Sequence, residues 1–162
     1  MPVTSSPTKT RRPNAIQLLT ADHQKVAKLF GEFEKIKDQG NPAEKQALVK
    51  TTCQELTIHA KVEEELFYPA LRAAMKEEAL IDEAEVEHTS MKQLISDLES
   101  MRPSDDLYDA KVTVLGEYVK HHVKEEQGEI FPKAKKTNID MAQLGQEIAD
   151  RKEALKGQNG SQ

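Results

Sequence analysis

A single cysteine, Cys53, in 162 residues excludes an internal disulfide and any thiolate-rich metal site. Imidazole and carboxylate are then the metal chemistry available. Tryptophan is absent and aromatic residues make up 4%, so the core has to be aliphatic. No apolar run approaches the length that spans a bilayer, so no membrane partner is expected. Basic residues do not dominate either. Lys and Arg number 23 against 28 Asp and Glu, a net charge of −5 with a pI near 5.6. That balance disfavours nonspecific nucleic-acid binding and leaves only a local basic patch, so no nucleic-acid partner is expected. The opening Met1-Pro2-Val3-Thr4-Ser5-Ser6-Pro7 carries no apolar run, and Arg11-Arg12 is followed only by the short Ala15 to Leu19 stretch. Neither fits a signal sequence, and a cytoplasmic location is expected.

What is present is one domain's worth of helical periodicity. Residues 1–13 read as a disordered tail rich in Ser, Thr, Pro and basic residues. Asn14 can cap a first helix with the stripe Ile16, Leu19, Val26, Phe30 and Phe33. Gln39-Gly40-Asn41-Pro42 ends it and opens a second, carrying Leu48, Leu56, Val62, Leu66 and Leu71, with a kink at Pro69. A third runs from about Glu78 to Met101 with Ile81, Met91, Ile95 and Leu98 on one side, and a fourth from Asp106 to Lys135 with Val112, Leu115, Val119 and Ile130. Asn138 or Thr137 caps a shorter last helix, Met141 to Leu155, before a tail at 157–162. Four long amphipathic helices with short links predict an all-α, up-down-up-down antiparallel bundle over 14–156, with the short fifth helix packed across it.

The helices repeat in pairs. His59 and Glu63 precede an aromatic-proline step at Tyr68-Pro69, as His122 and Glu126 precede Phe131-Pro132. Helices one and three match through Asp22-His23 and Glu87-His88. Each His–Glu pair is four residues apart and shares a helix face, and that face is the apolar one. His23 lies on the line from Leu19 through Val26 to Phe30, and His88 on the line from Ile81 to Met91 and Ile95. Every bundle helix therefore points one histidine inward, and two add a carboxylate. Buried carboxylates cost several kcal/mol each unless neutralised, and no Arg or Lys points inward at these levels. A pair of cations resolves that conflict, and iron, manganese or zinc suits nitrogen and oxygen ligands. The fifth histidine, His121, points about 100° away from His122 and reads as solvated or as a support for the site.

These residues resemble the hemerythrin family, in its HHE cation-binding branch, over roughly Ala15 to Leu155. The resemblance rests on Asp22-His23, His59 with Glu63 and Phe67-Tyr68-Pro69, Glu87-His88, His122 with Glu126 and Phe131-Pro132, and the closing Leu144 to Lys152 segment. It implies a non-haem di-iron centre, two iron ions (Fe2+/Fe3+) joined by an oxygen-derived bridge, ahead of manganese or zinc. His23, His59, His88 and His122 would be the terminal ligands and Glu63 and Glu126 the bridges. The oxygen-carrying members place a further histidine one turn before the third-helix histidine, where this chain has Ala84. Glu85 is the candidate substitute, with a solvent-facing role as the alternative.

The expected ligands are small: oxygen, hydrogen peroxide or nitric oxide. Binding, sensing or detoxification, the last including catalase-like peroxide decomposition, stay open beside an iron store and a metal-free interaction bundle. Tyr68 and Tyr118 could hydrogen-bond the site or line the core edge. Glu64, Glu65, Glu125 and Glu129 read as solvated or as supporting partners. Cys53 reads as a small core or helix-surface residue.

Overall fold

The computed structural model describes residues 12–159. The expected tail over 1–13 thus lies outside the described residues except for its last two positions. Helix α1 (Ala15–Ile36) begins at a capping box: Asn14 Oδ1 accepts from the Gln17 backbone N–H, and the Gln17 side chain accepts from that of Asn14, both at 2.9 Å. Gly40, at φ 46°, turns the chain in a left-handed conformation that glycine adopts without strain. Asn41 then caps α2 (Pro42–Val62), accepting from Ala43 N at 3.0 Å.

Pro69 does not stop the second helix, and a widened turn precedes it. The chain passes through a π-helical turn (Glu63–Phe67) into α3 (Tyr68–Ala74), with Tyr68 N–H bonded to Glu63 O. After α4 (Glu78–Glu99), the other half does the same: α5 (Tyr108–Glu125) widens into a π turn (Glu126–Ile130) before α6 (Phe131–Lys135), with Phe131 N–H bonded to Glu126 O. Both prolines sit second in the helix that follows the wide turn. A proline lacks the N–H of a regular turn and its ring crowds the carbonyl four residues back, and a widened turn relieves that crowding.

The last helix, α7 (Met141–Asn159), runs past Leu155. Its cap is neither Asn138 nor Thr137 but Asp140, whose Oδ1 accepts from Gln143 N at 3.0 Å. Thr137 instead closes α6, donating to Ala134 O at 2.6 Å. No strand occurs among the described residues. Helices α1, α2–α3, α4 and α5–α6 form the antiparallel bundle, and α7 lies across α1 and α2.

The core falls into two apolar clusters. One, with Leu19, Val62, Phe67, Leu71, Ile81, Ile130 and Ile148, fills the end where α7 packs. The other, with Val26, Phe33, Val49, Met91, Ile95 and Leu115, fills the opposite end. Each fully buried aliphatic or aromatic side chain contributes about 1.5–3 kcal/mol, so the two clusters hold the bundle from both ends. Phe30, Leu48 and Leu66, expected in the stripes, are only partly buried at the margins. Between the clusters lies a polar layer.

Candidate metal centre

The polar layer is made of Glu63 and Glu126, each 0% exposed, with His23, His59, His88 and His122 all buried around them. Glu126 spans two helices: its Oε1 lies 2.9 Å from His23 Nε2 and its Oε2 3.1 Å from His122 Nε2. Glu63 Oε1 does likewise, 2.9 Å from His59 Nε2 and 3.4 Å from His88 Nε2. Each carboxylate thus touches one histidine from each half of the repeat. The Nε2 atoms of His88 and His122 converge to 3.1 Å. Ligand atoms gather into two overlapping sets, Glu63, His88, His122 and Glu126 in one and His23, His59 and Glu126 in the other.

The outer nitrogens explain why the inner ones point as they do. His59 Nδ1 lies 2.9 Å from Asp22 Oδ2, and His122 Nδ1 lies 2.8 Å from Glu87 Oε1. A carboxylate there holds the proton on Nδ1 and leaves the Nε2 lone pair facing the centre. Asp22 and Glu87 are the acids that precede His23 and His88 in sequence, yet each serves the histidine of the neighbouring helix. His88 Nδ1 lies 3.4 Å from Glu64 Oε2, and Glu64 is paired with Lys92. Asp22 is paired with Lys152 of α7. A cation therefore does approach the site, contrary to the expectation from sequence, but it reaches a supporting acid and not the inner carboxylates.

Tyr68, 0% exposed, donates from its hydroxyl to Glu126 Oε2 at 2.7 Å. Burial first, and then the charges of Glu63 and Glu126, push its pKa well above the ordinary phenol value, so it stays a donor. Burial opposes charging His59, but the charge of the nearby Glu63 carboxylate, the bond to Asp22 and the approach of Glu126 raise its pKa well above the usual value. His122 is likewise raised to about 9, against its burial, by Glu126, Glu63 and Glu87. Burial alone would raise the Glu126 carboxyl, yet its contacts with Glu63, His122, His23 and His59 hold it well below the ordinary range. The layer thus favours positive charge among its ligand atoms, whether as protons or as a metal ion. Neither oxygen of Glu63 has a hydrogen-bond partner, for the 2.9 Å approach of His59 is not aligned for one. A fully buried carboxylate without a hydrogen-bond partner, facing imidazole nitrogens, fits a bound cation, with protons on those imidazoles as the other source of balancing charge.

Glu85 does not join these groups. Its side chain is 45% exposed and pairs with Arg72 at 3.2 Å, while Ala84 takes the buried position beside it. The three-residue spacing from His88 carries Glu85 round to the α3 side of α4. His121 is exposed and pairs with Glu87 at 3.3 Å and Glu125 at 3.1 Å. Glu65 pairs with Arg151 of α7 at 2.7 Å, and Tyr118 stands in solvent. The acids behind the histidines were visible only as half of a repeated dipeptide. Lys152 closed the segment that carried the resemblance, but nothing in the sequence tied it to Asp22.

An antiparallel helical bundle that buries four histidines and two glutamates between its helices defines a metal-binding helical protein. The family model described as the Hemerythrin HHE cation binding domain matches residues 14–134, and the chain belongs to that family. A solved structure it is similar to is that of a Hemerythrin HHE cation binding domain-containing protein from Mycobacterium kansasii, 30% identical, with a TM-score of 0.73 over 90% of this chain and 89% of that one. It is also 30% identical over 144 residues to a DNA nickase of Nostoc sp. (strain PCC 7120 / SAG 25.82 / UTEX 2576), covering 87% of this chain. The chain spans 39% of that relative's length. No helix among the described residues is long and apolar enough to cross a membrane.

Proposed function

We propose that this protein is a non-haem di-iron protein that binds or reacts with oxygen, hydrogen peroxide or nitric oxide. In this reading His23, His59, His88 and His122 with Glu63 and Glu126 would hold the two irons, with Glu85 outside the set. The observation that carries it is the pair of unpartnered Glu63 oxygens, fully buried and facing histidines from both halves of the chain. Two iron ions there would supply redox chemistry. The chain's own part is to orient the imidazoles through Asp22 and Glu87, to hold a phenol proton at Tyr68, and to keep bulk water away with its two apolar clusters.

Elemental analysis of protein purified without added metal tests this first. About two irons per chain support the reading, on the pattern of carboxylate-bridged sites in helical bundles. No iron, with none taken up from anaerobic ferrous solution, overturns it and leaves a helical interaction module. With iron present, sustained peroxide turnover lost in His59→Ala or Glu126→Ala marks an enzyme. A stoichiometric, reversible spectral change without turnover marks a binder or sensor, and iron that chelators strip without loss of fold marks a store.

The similarity to a protein named as a DNA nickase favours a second reading, action on nucleic acid. The exposed Lys120, Lys124, Lys133, Lys135 and Lys136 of α5, α6 and its end are the basic surface it would use. Relaxation of supercoiled plasmid that weakens with salt and with charge reversal at these lysines supports it, and intact plasmid sinks it.

A further inference from the structure

An apolar cavity of about 240 Å³ lies against the four histidines on the side away from Tyr68, and neither bridging carboxylate lines it. Its walls follow from the same repeat as the ligands. Val26 and Met91 stand three residues after His23 and His88, and Leu56 and Val119 three residues before His59 and His122. Because neighbouring helices run antiparallel, all four displacements point the same way along the bundle. They make a collar of buried aliphatic side chains directly beneath the imidazoles, with Ile95 one turn further along α4. The rim is polar and exposed, at Thr57, Lys92, Ser96 and Glu99.

The size does not match a diatomic ligand. Oxygen or peroxide needs on the order of one or two water volumes, about 30–60 Å³, whereas an apolar cavity of about 150 Å³ already admits benzene. A space of about 240 Å³ whose middle is walled by aliphatic side chains has polar partners for water only at its two ends, and it takes an apolar organic body. Below the rim, the polar wall is the histidine end, with Asp22 beside His23 and His59. A ligand suited to both parts has a compact apolar tail and one oxygen-bearing terminus.

We infer that this cavity is a binding site for an organic hydroperoxide or its alcohol, with a branched aliphatic or single-ring tail among Val26, Leu56, Met91, Ile95 and Val119 and the oxygen end toward the histidines. The choice of an oxygen terminus rests on the metal-centre reading; the apolar site rests on the cavity. No bond is made or broken in binding the alcohol, which makes it the suitable probe.

The test titrates 2-phenyl-2-propanol into the full chain carrying labelled methyl groups, once metal-free and once loaded with redox-inert zinc, followed by NMR. The expected result is saturable shifts at the methyls of Val26, Leu56, Met91 and Val119 in both forms. Ile95→Phe, which fills the space from α4, and Val119→Met, which fills it from α5, should each weaken binding about tenfold, a loss of roughly 1.4 kcal/mol. Two variants on different helices, with melting temperatures recorded for each, guard against one that fails to fold. Absence of saturable shifts in the native chain overturns the proposal. So do shifts that survive both variants, or binding that vanishes once zinc is loaded, since the cavity would then be only the space of the ions. Failure to load zinc or iron while the metal-free chain binds the alcohol sinks the metal-centre reading and leaves the apolar site standing.

Discussion

Tyr68 shows how much of the centre depends on one neutral group. Its hydroxyl is the donor that Glu126 Oε2 accepts at 2.7 Å, deep in the layer where no solvent can replace it. A hydrogen bond to a charged acceptor contributes about 1.5–3 kcal/mol, so Tyr68→Phe should destabilise the chain by that amount. Urea unfolding of the two proteins measures it, and equal midpoints would mean the bond carries no net weight. Cys53 shows the opposite case, a reactive group made inert. Burial, with a smaller part from Glu99, pushes its thiol up to about 12. At pH 8 only about one molecule in ten thousand would then carry the thiolate that alkylating reagents attack. Iodoacetamide should leave the folded chain unmodified while labelling it fully in denaturant. Fast labelling of the native protein would show that the α2 face around Cys53 opens.

At the scale of elements, α7 is tied both to the bundle and to the site. Leu144, Ile148 and Leu155 bury against the end cluster, and Gly145 meets the start of α1. A Cβ at Gly145 would fall 2.8 Å from backbone atoms of Asn14 and Ala15, which cannot swing aside. Gly145→Ala should therefore cost about 1–3 kcal/mol through overpacking. Gly31, in the middle of α1 with nothing within 4 Å of an added Cβ, is the matched control. There alanine should stabilise by up to about 1 kcal/mol through helix propensity. Thermal unfolding that moved both variants in one direction would refute the placement of α7. The same helix brings Lys152 to Asp22, whose other oxygen holds His59. Leaving the Asp22 carboxylate without this part-buried cation costs about 1–3 kcal/mol, so Lys152→Met should destabilise well beyond an exposed lysine such as Lys156→Met. In iron-loaded protein it should also shift the visible spectrum, which a purely structural contact would leave unchanged.

How far the sequence could carry these assignments depends on whether a contact is periodic. The inward histidines and Glu63 and Glu126 recur at helical spacing in both halves, so pattern alone places them on one face. The π turns do not follow from period, because their residues, Gly128 apart, are ordinary helix formers and the shared local signal is the proline that follows each. Asp22 and Glu87 reach across to His59 and His122, and no spacing within one helix reveals a partner on the next. Asp140 is the cap because it stands immediately before Met141, three residues from the Gln143 N–H, whereas the Thr137 hydroxyl donates to Ala134 O and accepts from Ile139 N in the turn before. Glu85 is three residues from His88, a spacing shared by neighbours on the face and at its edge, and the arginine on α3 draws it to the edge.

For the molecule as a whole, the polar layer divides the core but does not carry it. The clusters above and below are each apolar and each span several helices, so the bundle can persist with the layer free of metal. A tightly bound metal nevertheless stabilises only the folded chain, by about 2.7 kcal/mol at a hundredfold excess over its dissociation constant. Chelation should therefore lower the melting temperature by several degrees while far-UV circular dichroism keeps its helical intensity at 25 °C. Collapse of the helical signal on chelation would mean that the ions organise the fold, as in small metal-nucleated domains. An unchanged melting temperature, in protein whose iron content had fallen to zero, would mean that the buried glutamates are already satisfied by protons on His59 and His122. The di-iron reading would then lose its physical motive, because the charge that calls for a cation would be balanced without one.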